Sequence, residues 1–169
     1  SDVVVGSPFF DNGETDEGIV HLYLGSSLGL ATTPAWVAES NQTSAEFGIS
    51  VASAGDVNGD GYADVLVGAH KYDNGDTDEG MAFLYLGSSS GLATVAAWTG
   101  ESNQPSYLGA AYFGVSVASA GDVNGDGYSD VAVGARGITN GQSGEGQAFV
   151  YLGSSSGLAT TAAWTGESK

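Results

Sequence analysis

Short hydrophobic runs of four to six residues alternate with polar, glycine-rich segments along the chain. In the middle of the sequence these runs predict four β-strands, at residues 49–53, 64–68, 81–86 and 96–99. Asn-Gly, Asp-Gly and Ser-Ser-Ser-Gly sequences separate the runs and are typical of turns. No segment has hydrophobic residues at the spacing of an amphipathic helix, so the pattern predicts an all-β protein.

The succession of runs recurs because the chain is built from internal repeats. Residues 47–69 and 113–135 are identical at 20 of 23 positions. A second block, Tyr-Leu-Gly-Ser-Ser-x-Gly-Leu-Ala-Thr, occurs three times, and a tryptophan follows each copy, at Trp36, Trp98 and Trp164. Because the tryptophans recur at one position of each unit, we interpret them as packing residues between units rather than as platforms for sugar stacking.

Each unit contains four strands that are apolar on both faces, and such a sheet needs a similar sheet on either side. Radial stacking provides this cover, so the predicted fold is a β-propeller with blades of four antiparallel strands. The predicted units are residues 1–46, which lack the inner strand, 47–112 and 113–169. This content amounts to about 2.75 blades, too few to close a ring of four to eight. We therefore expect an incomplete ring that packs against further propeller blades, from a parent chain or from other copies.

One polar loop occurs twice almost unchanged, with the sequence Asp-Val-Asn-Gly-Asp-Gly-Tyr-x-Asp at residues 56–64 and 122–130. Oxygen-bearing side chains stand at loop positions one, three, five and nine, and position seven can offer its backbone carbonyl. Hard oxygen donors at this spacing suit Ca²⁺, whereas Mg²⁺ prefers a tighter octahedron that retains water. The predicted ligands of at least two Ca²⁺ ions are Asp56, Asn58, Asp60, Tyr62 and Asp64, and Asp122, Asn124, Asp126, Tyr128 and Asp130.

Two alternative interpretations of this loop are less consistent with the sequence. An EF-hand or dockerin-type loop needs an acidic residue at position twelve and a following helix, but position twelve is Val67 or Val133 in a strand-like run. A metal-free turn would leave three carboxylates to repel one another. Asp2 aligns with Asp64 and Asp130, so we expect it to be the remnant of a further loop of which the chain contains only position nine.

The Phe-Gly pairs at residues 47–48 and 113–114, the duplicated loop and the Gly-Ala that follows it resemble the FG-GAP repeat over nearly the whole chain. This repeat builds the propeller of integrin α-chains and of many bacterial and archaeal surface proteins. Its Gly-Ala-Pro element is closest at residues 6–8, Gly-Ser-Pro, while residues 68–70 and 134–136 end in His and Arg. The resemblance implies Ca²⁺ loops on one rim of a propeller, commonly seven-bladed, that serves adhesion or ligand binding outside the cell or at its surface.

Charge and composition exclude several classes of function. Three Lys and Arg residues against 20 Asp and Glu residues give a net charge of −17, which argues against nucleic acids and anionic membranes as partners. The chain has no cysteine, no apolar run of the ~20 residues that span a bilayer, and no nucleophile elbow. We therefore expect no enzyme activity and no membrane insertion. The ligand that the resemblance implies is an unknown protein or glycan.

Several further candidates depend on weaker patterns. Residues 11–17 and 73–79 form acidic hairpins, which we interpret as solvated turns because the third copy, residues 139–145, retains a single carboxylate. Tyr107, Tyr112 and Arg136 are unique to the last unit and could contribute to a ligand surface. Two alternatives to an adhesion module stay open: a non-catalytic accessory propeller of a larger secreted enzyme, and a structural repeat of a surface assembly.

Overall fold

A computed structural model describes residues 1–104 and 108–167 of the chain. Within these residues the regular structure consists of thirteen β-strands and contains no α-helix. The strands form three main antiparallel sheets and one short ribbon. The prediction of an all-β protein is therefore confirmed.

The first sheet has the strand order β1-β2-β5, with β1 (Val3–Ser7), β2 (Ile19–Tyr23) and β5 (Trp36–Glu39). A two-stranded ribbon, β3 (Gly25–Ser26) and β4 (Gly29–Leu30), projects between β2 and β5. Strand β1 pairs with β2 along its whole length, and its other edge has no strand partner among the described residues. The first sheet thus differs from the other two, in which the corresponding strand is paired on both edges.

The second and third sheets each contain four strands in sequence order, which makes them simple antiparallel meanders. The strands of the second sheet are β6 (Ser50–Gly55), β7 (Asp64–Ala69), β8 (Met81–Tyr85) and β9 (Trp98–Glu101). Those of the third sheet are β10 (Phe113–Gly121), β11 (Asp130–Ala135), β12 (Gln147–Tyr151) and β13 (Trp164–Glu167). These open four-stranded sheets are the predicted blades of a β-propeller. The exact unit boundaries at residues 46/47 and 112/113 stay predictions.

The observed fourth strand lies two residues further along the chain than the predicted segment 96–99. Pairing with β8 begins at Trp98, which lies opposite Leu84, and ends at Glu101, opposite Met81. Ala97 already bonds through its N–H to the Leu84 carbonyl, at the point where the chain enters the sheet. The register is set by β8, so polar residues such as Glu101 join the strand although the hydrophobic run has ended.

The three sheets pack face to face through two hydrophobic clusters. Between the first and second sheets the cluster contains Val20, Trp36, Phe47, Val67 and Tyr85. Between the second and third it is larger and includes Leu66, Leu84, Trp98, Phe113 and Val131. Both faces of the second sheet are therefore covered. Successive residues of β7 bury their side chains alternately against the first sheet and against the third sheet.

The same aromatic joint connects each sheet to the next one. Trp36 stacks edge-on against Tyr85 with ring centroids 4.9 Å apart, and Trp98 does the same with Tyr151 at 4.9 Å. The indole N–H of Trp36 donates to the Ala93 carbonyl at 2.9 Å, and that of Trp98 to the Ala159 carbonyl at 3.0 Å. Both indoles are more than 90% buried, which confirms that these tryptophans pack between units.

Glycine allows the backbones of successive blades to touch. A Cβ on Gly68 would overlap the carbonyl oxygen of Gly114, and a Cβ on Gly6 would overlap that of Gly48. Gly48 and Gly114 have φ values of 84° and 82°, a region that other residues adopt only with strain. These contacts explain why the Phe-Gly pair occurs at both residues 47–48 and 113–114, and why a glycine stands near the end of β1 and of β7.

Candidate calcium loops

The two duplicated loops connect β6 to β7 and β10 to β11, on the same rim of their blades. Each loop turns through two glycines with positive φ, Gly59 and Gly61 in the first and Gly125 and Gly127 in the second. Glycine adopts this conformation at little cost, so the chain can fold back on itself within a few residues. The polar side chains of the loop are thereby arranged around its own backbone.

The first carboxylate of each loop organises this turn. Asp56 accepts N–H bonds from Gly59 at 2.8 Å and Asp60 at 3.0 Å with Oδ1, and from Gly61 at 2.8 Å with Oδ2. Asp122 makes the corresponding three bonds at 2.7, 3.0 and 2.9 Å. The duplicated sequence therefore forms a duplicated geometry.

The middle of the loop holds an amide and a carboxylate side by side. The Asn58 Nδ2 donates to the Asp60 Oδ2 at 2.9 Å, and the Asp60 N–H donates to the Asn58 Oδ1 at 3.1 Å. The Asp60 Oδ1 in turn accepts the N–H of Tyr62 at 3.0 Å. Asn124, Asp126 and Tyr128 repeat these three bonds in the second loop.

The last carboxylate of each loop is fully buried at the start of a strand. The Asp64 Oδ2 accepts the N–H of Val57 and its Oδ1 accepts the N–H of Gly87, both at 2.8 Å. Burial raises the pKa of the Asp64 carboxyl above its ordinary 3.8; hydrogen bonds from Gly87 and Val57 lower it, and the nearby Asp60 and Asp56 carboxylates raise it again. The three acidic side chains of this loop therefore act electrostatically on one another.

Asp130 and Asp2 stand at the same repeat position as Asp64, but Asp130 is fully buried like Asp64 whereas Asp2 is exposed. Asp130 accepts the N–H groups of Val123 and Gly153 at 2.8 Å each. Asp2 accepts the N–H of Gly25 at 2.8 Å, the contact that corresponds to Gly87 and Gly153 in the other units. The supporting glycine N–H was not predicted from the sequence, although its position at the start of the repeated Gly-Ser-Ser block is a usable signal.

The donor set of each loop fits a hard cation. It combines three carboxylates with the Asn58 amide oxygen and the Tyr62 carbonyl oxygen, or with those of Asn124 and Tyr128. Among residues 1–104 and 108–167, no group of three or more His, Cys, Asp or Glu side chains is arranged to hold a metal ion by itself. A complete coordination shell would thus depend on the amide and carbonyl oxygens as well as on the carboxylates.

The acidic hairpins differ from the predicted solvated turns in one respect. Their final glutamates, Glu17 and Glu79, are 1% and 2% exposed. Glu17 accepts the N–H of Asn12 at 2.6 Å, and Glu79 accepts that of Asn74 at 2.8 Å. Each carboxylate is buried because it binds the backbone of its own hairpin, and burial raises the pKa of Glu79, with the nearby Glu101 adding to the effect.

A row of non-repeated polar residues lies on the rim opposite the calcium loops. Glu46 binds Lys71 at 2.5 Å and lies 3.7 Å from His70, while Arg136 lies over the Tyr112 ring, 4.3 Å from its centroid. The structure thus brings together two of the three residues predicted for a ligand surface. Tyr107, the third, lies outside the described residues. His70 and Glu46 also belong to this group, although no sequence motif links them to it.

Comparison with known proteins identifies the repeats and their relatives. The FG-GAP repeat model matches residues 47–85 and 113–151. Integrin alpha-PS2 of Drosophila melanogaster is 39% identical over 114 residues, covering 66% of this chain and 8% of the integrin. Integrin alpha-5 of Xenopus laevis is 31% identical over 148 residues, covering 81% of the chain and 13% of the relative. Integrin alpha-3 of Cricetulus griseus is 38% identical over 126 residues, covering 72% and 11%.

The chain spans only 8% to 13% of the length of these relatives. The similarity therefore concerns a small part of each integrin alpha chain and not its whole length. In the described part of the chain, no helix has the length and hydrophobicity to cross a membrane.

Proposed function

Because the chain carries FG-GAP repeats, we propose that it is a calcium-binding segment of an extracellular or cell-surface β-propeller that serves adhesion or ligand binding. The observation that carries this proposal is the duplicated loop geometry. In two loops of different blades the first aspartate accepts the same three backbone N–H bonds, with distances that agree within 0.1 Å between Asp56 and Asp122. Similarity to integrin alpha chains supports the adhesion role.

Calcium is the cation that this proposal assigns to the loops, with one ion at each. Oxygen donors from carboxylates, an amide and a backbone carbonyl match its preference for six to eight hard ligands. A bound ion would offset the mutual repulsion of Asp56, Asp60 and Asp64 in a chain whose net charge is −17. It would stabilise the fold by ~2.7 kcal/mol per site at a hundredfold excess over Kd.

The proposed role is binding rather than catalysis. The carboxylates that lie close together belong to elements that repeat with the blades, whereas hydrolysis by a carboxylate pair needs one distinct pair in a cleft. An accessory propeller of a secreted enzyme and a structural repeat of a surface assembly would use the same loops and blades. These alternatives differ from an adhesion module in what surrounds the segment rather than in the segment itself.

The proposed partners of this segment are further propeller blades. Trp164 occupies the position of Trp36 and Trp98, but it is 57% exposed, whereas they are 6% and 7% exposed. A neighbouring blade with a tyrosine and a backbone carbonyl at the positions of Tyr151 and Ala159 would bury this indole in the same joint. The exposed Val3, Val5 and Val37 on the outer face of the first sheet support the same conclusion at the other end of the stack.

A calorimetric titration of the chelator-treated protein tests calcium binding. We expect at least two saturable Ca²⁺ sites and a melting temperature that rises with Ca²⁺. Asp60→Ala and Asp126→Ala should each remove one site and leave the other, while Glu14→Gln, which removes a charge from a hairpin, should leave both. A melting temperature that is the same with Ca²⁺ and with chelator would contradict the proposal.

A further inference from the structure

An Asn-Gly pair occurs in each of the three hairpins and also in each calcium loop. The hairpin pairs are residues 12–13, 74–75 and 140–141, and the loop pairs are residues 58–59 and 124–125. In such a pair the backbone nitrogen of the glycine can attack the side-chain carbonyl carbon of the asparagine, because glycine has no Cβ to block the approach. The structure separates the five pairs into two groups by the hydrogen bonds that these reacting groups make.

In the calcium loops, hydrogen bonds occupy both reacting groups. The Gly59 N–H donates to the Asp56 Oδ1 at 2.8 Å, and the Asn58 Oδ1 accepts the N–H of Asp60 at 3.1 Å. The Asn58 Nδ2 donates to the Asp60 Oδ2 as well, so the amide is held at both ends. The second loop repeats the first two bonds at 2.7 and 3.0 Å. The glycine nitrogen therefore keeps its proton in a hydrogen bond, and the asparagine carbonyl is held by another.

In the hairpins, the same two groups make no such bonds. The glycines are exposed, and their N–H groups have no hydrogen-bond acceptor within the part of the chain that the structure describes; they are Gly13, Gly75 and Gly141. The Oδ1 atoms of the three hairpin asparagines likewise accept no hydrogen bond from residues 1–104 or 108–167. A Cβ on any of the three glycines would meet no atom within 4 Å, so the space around each tip is open.

One side-chain hydrogen bond ties each hairpin to the last strand of its own blade. The asparagine Nδ2 donates to a glutamate Oε2 that lies 27 residues further along the chain. The three bonds join Asn12 to Glu39 at 2.8 Å, Asn74 to Glu101 at 2.6 Å and Asn140 to Glu167 at 2.8 Å. Each glutamate is the final residue of its strand, β5, β9 or β13. The attachment therefore depends on an N–H donor at the reactive asparagine.

We infer that Asn12, Asn74 and Asn140 are sites of spontaneous deamidation, and that this modification detaches each hairpin from the last strand of its blade. The glycine nitrogen gives its proton to a solvent base and forms a bond to the asparagine Cγ, and the Nδ2 leaves as ammonia. Water then opens the resulting five-membered succinimide at one of its two carbonyl carbons, which yields aspartate or isoaspartate. Each event consumes one water and releases one ammonia, without any change of oxidation state.

The product lacks the donor that the attachment needs. An asparagine amide carries two N–H donors, whereas an ionised carboxylate only accepts hydrogen bonds. Conversion of Asn74 would place a new carboxylate against Glu101, and like charges at this distance repel. Burial and then the charge of Glu101 already raise the pKa of Glu79 in the same hairpin, so the new charge adds to an existing repulsion. Conversion at all three sites would change the net charge from −17 to −20.

Peptide mapping of the aged, folded chain tests the sites. The protein is kept in Ca²⁺ at mildly alkaline pH in oxygen-18 water, digested and analysed by mass spectrometry. We expect aspartate and isoaspartate that carry the heavy oxygen at the three hairpin sites, formed at least tenfold faster than at Asn58 and Asn124. In urea all five sites should convert at similar rates. Equal rates in the folded protein, or faster conversion in the calcium loops, would overturn the inference.

Asn74→Gln is the matched control for reactivity, because its longer side chain would have to close a six-membered ring. It should abolish conversion at this position and leave the rates at Asn12 and Asn140 unchanged. A change at those two positions would show that the sites do not react independently, contrary to the inference. The inference rests on the hydrogen bonds of the hairpins and loops and does not depend on calcium binding.

Hydrogen exchange tests the detachment. Asn74→Asp, one product of the reaction, should increase exchange of the backbone amides of residues 73–79. The double variant Asn74→Asp with Glu101→Gln should restore protection, since the glutamine amide can donate to the new carboxylate and the bond is reversed. Exchange in Asn74→Asp that equals that of the natural protein would overturn the detachment, and so would a double variant that exchanges as fast as Asn74→Asp alone.

Discussion

The two junctions between neighbouring sheets contain equivalent tryptophan contacts, but they differ at the rim that carries the calcium loops. Both contain a buried tryptophan whose N–H bonds the backbone of the next blade. At the calcium-loop rim, Val57 fills the junction between the second and third sheets, whereas a cavity lies between the first and second. The first and second sheets therefore pack together without a loop at that rim, whereas the loop of the second blade fills the rim of the next junction.

This difference connects the proposed metal sites with blade packing. Val57 follows directly after Asp56, the first predicted ligand, and its N–H binds Asp64, the last one. Any change that loosens the loop should therefore also loosen the contacts of Val57 with the third sheet. Calcium binding at one blade would thus stabilise the junction with the next, and a propeller of this type would be strengthened one junction at a time.

The largest effect should come from removing an indole from the joint. Trp98→Ala deletes a side chain packed against Tyr151, and we expect the free energy of unfolding to fall by about 3–5 kcal/mol. Trp164→Ala, at the same repeat position but 57% exposed, should cost less than about 1 kcal/mol. Urea denaturation of both variants, monitored by far-UV circular dichroism, measures the difference. Equal losses would mean that the joint does not hold the junction.

A smaller effect is expected where the backbones of two blades touch. Gly68→Ala would force a Cβ against the Gly114 carbonyl, so we expect a loss of about 1–3 kcal/mol. At the corresponding Gly134, the nearest atom is the Ser116 hydroxyl, which can rotate away, and Gly134→Ala should cost clearly less. The comparison uses the same denaturation measurement. A greater loss for Gly134→Ala would show that the contact between blades is not the cause.

Removing two methyl groups from Val57 tests how much the filled rim contributes to stability. Val57→Ala removes apolar atoms from a fully buried position, and at ~0.8 kcal/mol per buried methyl or methylene it should cost about 1.6 kcal/mol. Val123 occupies the same loop position in the third blade but is 58% exposed, so Val123→Ala should change stability by less than about 0.5 kcal/mol. Thermal unfolding at saturating Ca²⁺ compares them. Similar stability losses in the two variants would show that filling the rim does not contribute to stability.

The sequence predicts the repeated features of this fold well and the contacts between units poorly. Short hydrophobic runs locate β7 and β8 because both faces of these strands are buried. They misplace β9, since the register of that strand is set by its partner β8. Composition likewise assigns Glu17 and Glu79 to solvated turns, because a buried carboxylate that binds its own hairpin has no separate signature in a single sequence.

The candidate calcium loops likewise combine features that the sequence predicts with features that depend on tertiary contacts. The ten predicted calcium ligands could be proposed from the sequence because their spacing within one loop is a local property. The burial of Val57, the support of Asp64 by Gly87 and the cavity beside Tyr62 depend on residues far apart in the chain. The row that contains His70 also depends on tertiary contacts, since Glu46, His70 and Tyr112 come from three separate connections between strands.

The smallest expected effect is a pH dependence confined to one junction. His70 is 4% exposed, its Nδ1 has no hydrogen-bond partner among the described residues, and the first blade has Pro8 at the same position. Burial lowers the pKa of His70 below its ordinary 6.5; Glu46 and Asp78 oppose this, and Arg136 and Lys71 lower the pKa further. The native state therefore resists protonation while the unfolded chain accepts it, so stability is complete above pH 6.5 and falls as the pH drops through that value. The free energy of unfolding at fixed saturating Ca²⁺ should decrease from pH 7.5 to 5.5 more steeply in the natural protein than in His70→Gln. An identical slope in the two proteins would exclude His70 as the titrating group.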